Sequence, residues 1–179
     1  MPIRKKYVGK FVGSHVLVTD ELDSARTELN EKGGFGSLKE KVLVLAPVEA
    51  LHLMEKDKID IVDYKNKTVD FDAFVKRALK FDRRFFIRYK VFDDIRTRGY
   101  LVKSALKYGA DFRVYDRGVK PGQEHARWVL HAVSEQEFFD WRKFAAMNRV
   151  AHSVKKRLML GILDTEGDVT YYVINWYRP

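Results

Sequence analysis

The chain has 179 residues, 46% of them hydrophobic and 13% aromatic, with no cysteine and a formal net charge of +9. That length allows one medium domain or two small ones with real cores, which excludes wholesale disorder, and the missing thiols exclude disulfides, thiolate metal sites and a cysteine nucleophile. Charge is uneven: residues 1–84 carry 17 Lys/Arg against 14 Asp/Glu, and residues 85–179 carry 17 against 11, a cationic excess in one half that favours a polyanionic partner through counterion release.

The N-terminus, MPIRKKYVGKF, is basic but has neither the apolar core nor the small-residue cleavage site of a signal peptide. No apolar run approaches the roughly 20 residues needed to cross a bilayer, so the expectation is a soluble, cytoplasmic-type chain. Val8 to Val12 and Val16 to Thr19 alternate around Gly13-Ser14, a two-residue hairpin signal. Gly33-Gly34-Phe35-Gly36 is a break, Lys41 to Ala46 a short β-branched and leucine run, and Pro47 suits the first turn of a helix through Met54. Ile59 to Tyr64 reads as a strand. Asp70 to Phe81 places Phe71, Phe74, Val75 and Leu79 on one helical face.

No Pro/Gly/Ser linker follows, and Asp82 to Arg98 continues in helix-compatible sequence until Gly99. The second half reads as a strand or helix start over Tyr100 to Ser104, a glycine stop at Gly109, and a strand holding Phe112, Val114 and Tyr115. Arg117 to Glu124 is a loop and Trp128 to Val133 a buried strand. Ser134 and Glu137 have capping-box spacing for a helix through about Met147. Arg157 to Leu163 is a core strand, Thr165 to Asp168 a turn, and Val169 to Trp176 a last alternating strand. Trp128 and Trp141 are expected in the core. The order implies an α/β (α+β) protein: a small mixed α/β domain over 1–84, then an α/β domain over 85–179 with helices covering a mixed central sheet.

RNA carries its own nucleophile, the 2′-hydroxyl. Cleavage needs a base for that hydroxyl, an acid for the departing 5′-oxygen and positive charge at the developing phosphorane. Tyr115 at a strand end, His125 across a Gly/Pro loop and Lys156 beyond the next helix are residue types able to supply these. Each also has a plain reading: a strand tyrosine, an exposed loop histidine, and one member of the solvated run Lys155-Lys156-Arg157. Composition and spacing alone do not choose among them.

The segment RTRGYLVKSALKYGADFRVYDRG at 96–118, with GQEHA at 122–126 and RVAHSVKK at 149–156, resembles the archaeal tRNA-splicing endonuclease family, three motifs occurring in the same order and separation. The likeness covers residues 85–179 well and residues 1–84 only loosely. It implies Tyr115 as general base, His125 as general acid and Lys156 as the cation facing the transition state. The products would be a 2′,3′-cyclic phosphate and a 5′-hydroxyl, with no metal or other cofactor. An ordinary phenol ionises only near pH ~10, so Tyr115 is read either as the base, with Arg113, Arg117 and Lys120 favouring the phenolate, or as a group that orients the 2′-hydroxyl. The resemblance further implies Arg149 and Trp176 as stacking partners of an extruded bulge nucleotide. Asp164 and Asp168 would be subunit contacts in a homotetramer, and the substrate a precursor tRNA cut at both intron boundaries in a bulge–helix–bulge fold.

Two other classes stay open at this point. A metal-dependent nuclease would want an acidic pair with an Asp/Glu-x-Lys triplet, and the one such triplet, Asp63-Tyr64-Lys65, lies in the other half. A non-catalytic RNA-binding or structural subunit would bind bulged RNA without cutting it. His15, His52, His125, His131 and His152 show no close metal-ligand spacing, and His152 reads as structural.

Overall fold

A computed structural model of the chain describes residues 6–119 and 122–177; Lys120 and Pro121, in the loop expected over 117–124, lie outside the described residues. The chain divides into two compact units, Met1–Tyr89 and Lys90–Pro179. Among the described residues no helix is long and apolar enough to cross a membrane.

In the first unit, β1 (Tyr7–Val12) and β2 (His15–Val18) form the expected hairpin, turned through Gly13 at φ 58°. A short helix α1 (Leu22–Ala25) then runs into a wide π-type stretch over Arg26–Lys32, where no helix was expected. Only Ala25 and Leu29 of this stretch are buried, too few to make an apolar stripe. Next come β3 (Ser37–Lys39), β4 (Val42–Leu45), α2 (Pro47–Glu55), β5 (Ile59–Val62) and α3 (Phe71–Leu79). The sheet order is β3-β4-β2-β1-β5, with β5 parallel to β1 and the other pairs antiparallel.

Pro47 opens α2, and the buried Glu49 carboxylate accepts the N–H groups of Ala46 (2.8 Å) and Gly36 (3.0 Å). One side chain thus ties the helix start to the glycine break, where Gly36 holds φ 64°. Asp70 caps α3 by accepting from the Ala73 N–H at 2.8 Å. The inward face of α3 centres on Phe74 and Ala78, Phe74 lying 4.8 Å from Phe11, while Leu79 sits at its exposed edge.

A turn over residues 80–84 delays the next helix, α4, to Phe85–Thr97, and Gly99 at φ 89° ends it. The second unit continues with β6 (Tyr100–Ser104), a 3₁₀ turn over Leu106–Tyr108, β7 (Phe112–Arg117), β8 (Trp128–Ser134), α5 (Trp141–Ser153), β9 (Arg157–Leu163) and β10 (Val169–Ile174). Its sheet order is β10-β9-β8-β7-β6. Neighbours are antiparallel except β8 and β9, which run parallel with α5 as the crossover. The mixed α/β class expected from the sequence is the one observed.

Two expectations are corrected here. Ser134 and Glu137 do not open a helix: Ser134 is the last residue of β8, paired opposite Leu163, and its carbonyl accepts the Glu137 N–H in a turn. The cap is Asp140, whose carboxylate accepts the Lys143 N–H at 2.7 Å, so α5 begins at Trp141 and runs to Ser153. That start leaves Trp141 83% exposed, edge-on to Phe144, one turn ahead of the residues that meet the sheet. Trp128 is buried as expected.

β8 and β9 are covered on both faces, which is why they read as continuous apolar runs. Ala151 of α5 packs with Val129 and Leu158, flanked by Phe144 and Met147. Phe92 of α4 meets Phe112 at 5.5 Å on the other face. There the Tyr171 phenol donates to Asp94 (2.9 Å), and burial followed by that bond pushes its ionisation well above the ordinary range. Gly161 sits beneath this contact: an added Cβ would lie 2.7 Å from a Val91 methyl and 3.2 Å from the Tyr171 ring. We expect Gly161→Ala to cost about 1–3 kcal/mol through overpacking, read as an earlier midpoint in denaturant titration; an unchanged midpoint would mean that the helix yields.

Candidate active site

Strand direction gathers the sequence-nominated residues. β7 is antiparallel to β8, and β8 is parallel to β9. The C-terminal end of β7 and the N-terminal ends of β8 and β9 therefore lie at one end of the sheet. Tyr115 is near the end of β7, His125 lies three residues before β8, and Lys156 immediately precedes β9. Backbone bonds join these pieces around Arg127. Its N–H donates to the Val114 carbonyl (2.9 Å), and its own carbonyl accepts the Arg157 N–H (3.0 Å).

Each side chain is set by its local backbone. Along β7, Phe112 and Val114 are buried while Arg113 and Tyr115 are half-buried, so alternation turns Tyr115 away from the core face. His125 is exposed in the segment leading into β8. Lys156 is placed by the end of α5. Lys155 takes left-handed backbone at φ 54°, its N–H donates to the His152 carbonyl (2.9 Å), and the Lys156 N–H donates to the Ala151 carbonyl (2.9 Å). This is a Schellman stop with lysine where glycine is usual. It turns the chain sharply from helix to strand and leaves Lys156 half-buried at the corner.

Tyr108 was not singled out by sequence. It follows the 3₁₀ turn's lysine and packs against the cluster of Ala105, Ala151 and Leu158. A hydrogen bond from Lys107 holds its phenol below the ordinary tyrosine range against the opposing effect of burial, and the charges of Arg113 and Lys156 add to this. The Lys156 charge is therefore among those felt by this ring. The motif LKYG carried that residue, but nothing in its spacing distinguished it from a packing tyrosine.

Trp176 follows β10, which runs antiparallel to β9 and so ends at the same end of the sheet. It is 51% exposed, and its ring lies 4.5 Å from that of His152 on α5. His152 is thus an exposed aromatic partner, and Arg149 stands exposed one helical turn before it. Asp164 and Asp168 lie at the opposite end, in the β9–β10 turn. The Asp164 carboxylate accepts the N–H groups of Glu166 (3.0 Å) and Asp168 (2.8 Å), while Asp168 is exposed. Among the described residues no three His, Asp or Glu side chains group in a way that would hold a metal ion.

Two family models match the chain. Residues 85–171 match the family model described as tRNA intron endonuclease, catalytic C-terminal domain, and residues 7–75 match tRNA intron endonuclease, N-terminal domain. The chain is 38% identical over 173 residues to the tRNA-splicing endonuclease of Pyrococcus furiosus, covering 97% of this chain and 99% of that protein. It is 37% identical over 163 residues to that of Methanothermobacter thermautotrophicus, covering 91% and 94%. With that of Nanoarchaeum equitans it shares 41% identity over 138 residues, 74% of this chain and 88% of the relative. All three relatives are archaeal. The chain therefore belongs to the tRNA intron endonuclease family and carries both its N-terminal domain and its catalytic domain.

Proposed function

We propose that this enzyme cuts precursor tRNA at both intron boundaries within a bulge–helix–bulge fold, using the RNA's own 2′-hydroxyl and no metal ion. The observation that carries the reading is the meeting of the β7 end, the segment before β8 and the corner before β9 at one end of the sheet, inside the stretch that matches the catalytic domain. In the reaction the 2′-oxygen bonds to phosphorus and the bond from phosphorus to the 5′-oxygen breaks. Tyr115 takes the 2′-hydroxyl proton, or orients that group while solvent water takes the proton; His125 gives a proton to the leaving 5′-oxygen, and Lys156 faces the phosphorane charge. The fragments end in a 2′,3′-cyclic phosphate and a 5′-hydroxyl.

Arg149 and Trp176 would stack on an extruded bulge base from the helix and the chain end, a sequence-tolerant contact suited to reading RNA shape. The acidic turn with Asp164 and Asp168, at the far end of the sheet, would dock on another copy without crowding the chemistry. A homotetramer in which two copies cut would then measure the helix between the bulges. The reaction would take place in the cytoplasm, on unspliced tRNA.

Incubating the chain with a bulged RNA in excess EDTA, then identifying fragment ends, tests the chemistry. Cleavage to cyclic-phosphate and 5′-hydroxyl ends is expected; activity that appears only when magnesium is returned would overturn it. His125→Ala and Lys156→Ala should each lower the single-turnover rate by about two powers of ten or more with RNA binding retained. Lost binding with intact turnover of bound RNA would contradict those roles. For assembly, Asp168→Lys is the cleaner probe, because Asp164 also holds its own turn. A smaller species in sedimentation is expected, and an unchanged profile would remove the docking role.

A further inference from the structure

The same end of the sheet carries an arginine–aromatic array beside the residues assigned to proton transfer. The Arg117 guanidinium lies 4.9 Å from the centroid of the Tyr100 ring, its direct partner in the β6–β7 pairing. Tyr100 meets Trp128 edge-on, centroids 6.1 Å apart at 77°. β7 lies between the strands that hold these two rings, so they reach each other across it. The Arg127 guanidinium in turn lies 5.0 Å from the Trp128 ring. Cation, ring, ring and cation thus run across the ends of three strands. Trp128 is buried and Tyr100 half-buried, while both arginines are exposed.

We propose that Arg117 and Arg127, held on Tyr100 and Trp128, form a second phosphate-binding site that grips the RNA backbone beside the bond being cut. Three features support this beyond positive charge. A guanidinium resting on a ring is ordered before the ligand arrives, yet its N–H edge stays free for bidentate contact with a phosphate. Chain position couples the array to the site: Arg117 is two residues after Tyr115, and Arg127 two after His125. Among the described residues the acidic contact of the array is Asp116, which accepts from Arg127 at 3.2 and 3.4 Å with the Arg127 and Asp116 side chains about half exposed, 50% and 44%. A pair so open to water contributes little, so an incoming phosphate can displace it. An acidic protein surface would be drawn by charge as well, but RNA engaged at Tyr115 and His125 must pass these strand ends.

The inference rests on the RNA-cleaving reading, and the experiment separates the two. A bulged RNA with 2′-deoxy nucleotides at the cut positions cannot be cleaved and serves as the binding probe. Its affinity is measured between about 50 and 200 mM salt. For the parent chain, steeply salt-dependent binding is expected. Arg117→Ala and Arg127→Ala should each weaken binding roughly three- to tenfold and lower the log–log salt slope by about 0.7–0.9. For Arg127→Ala, which has no part in setting the Tyr115 phenol, the single-turnover rate on saturating cleavable RNA should be unchanged. Asp116→Asn should bind more tightly, since it removes a competing anion. Parent-like affinity and slope in the arginine variants would make the array purely structural and overturn the proposal, as would a lost turnover rate with intact binding in Arg127→Ala. If an alanine variant does not fold, Asp116→Asn decides, and unchanged affinity there overturns the idea. A parent chain that fails to bind the probe at all would bring down the RNA-cleaving reading itself.

Discussion

The parallel pairing of β8 and β9 is the constraint on which the rest of the second unit depends. Two consecutive strands joined by a tight turn would run antiparallel, and residues just before β9 would then sit at the far end of the sheet from those just before β8. A parallel pair requires a crossover, and α5 supplies it. Because β8 and β9 align from Trp128 opposite Arg157 to Ser134 opposite Leu163, the entries to both strands are side by side. Burial on both faces fixes that register, since a slip of one residue would exchange the side chains packed on α5 for those packed on α4.

From that pairing follows a separation of charge along the sheet. The end that gathers Tyr115, His125 and Lys156 also gathers Arg117 and Arg127, while Arg113 sits near the other end of β7, beside the 3₁₀ turn that carries Lys107 and Tyr108. The opposite end carries the acidic β9–β10 turn, ordered by Asp164 through its own backbone N–H groups. The cationic strand ends and the acidic turn are thus kept apart by the length of a strand. The sharp corner at Lys155 and Lys156 belongs to the same arrangement. A non-glycine residue in left-handed backbone costs on the order of 1 kcal/mol, and the two backbone hydrogen bonds of the helix stop offset it while setting where Lys156 begins.

Legibility in the sequence tracked how local the controlling interaction was. The β1–β2 hairpin, the proline start of α2 and the glycine end of α4 were readable because each depends on backbone freedom within a few residues. The Ser134–Glu137 spacing misled, since Ser134 is held by pairing with Leu163, which lies 29 positions further on. Trp141 was assigned to the core from its residue type alone, and its exposure follows from where Asp140 starts the helix. The helical stretch after Glu21 was missed because its apolar residues are too sparse for a 3.6-residue stripe.

Residue types capable of acid–base chemistry on RNA, a basic second half, and the motifs that mark the family were all present in the linear chain. Those properties need only composition and short-range order to be seen. Which of those residues share one end of one sheet was decided by folding alone, because strand direction depends on a crossover helix and on packing between positions some 30 or more apart. The same holds for the arginine–aromatic array. Tyr100, Arg117 and Trp128 are unremarkable in sequence, and only their alignment across three strands makes a surface of them.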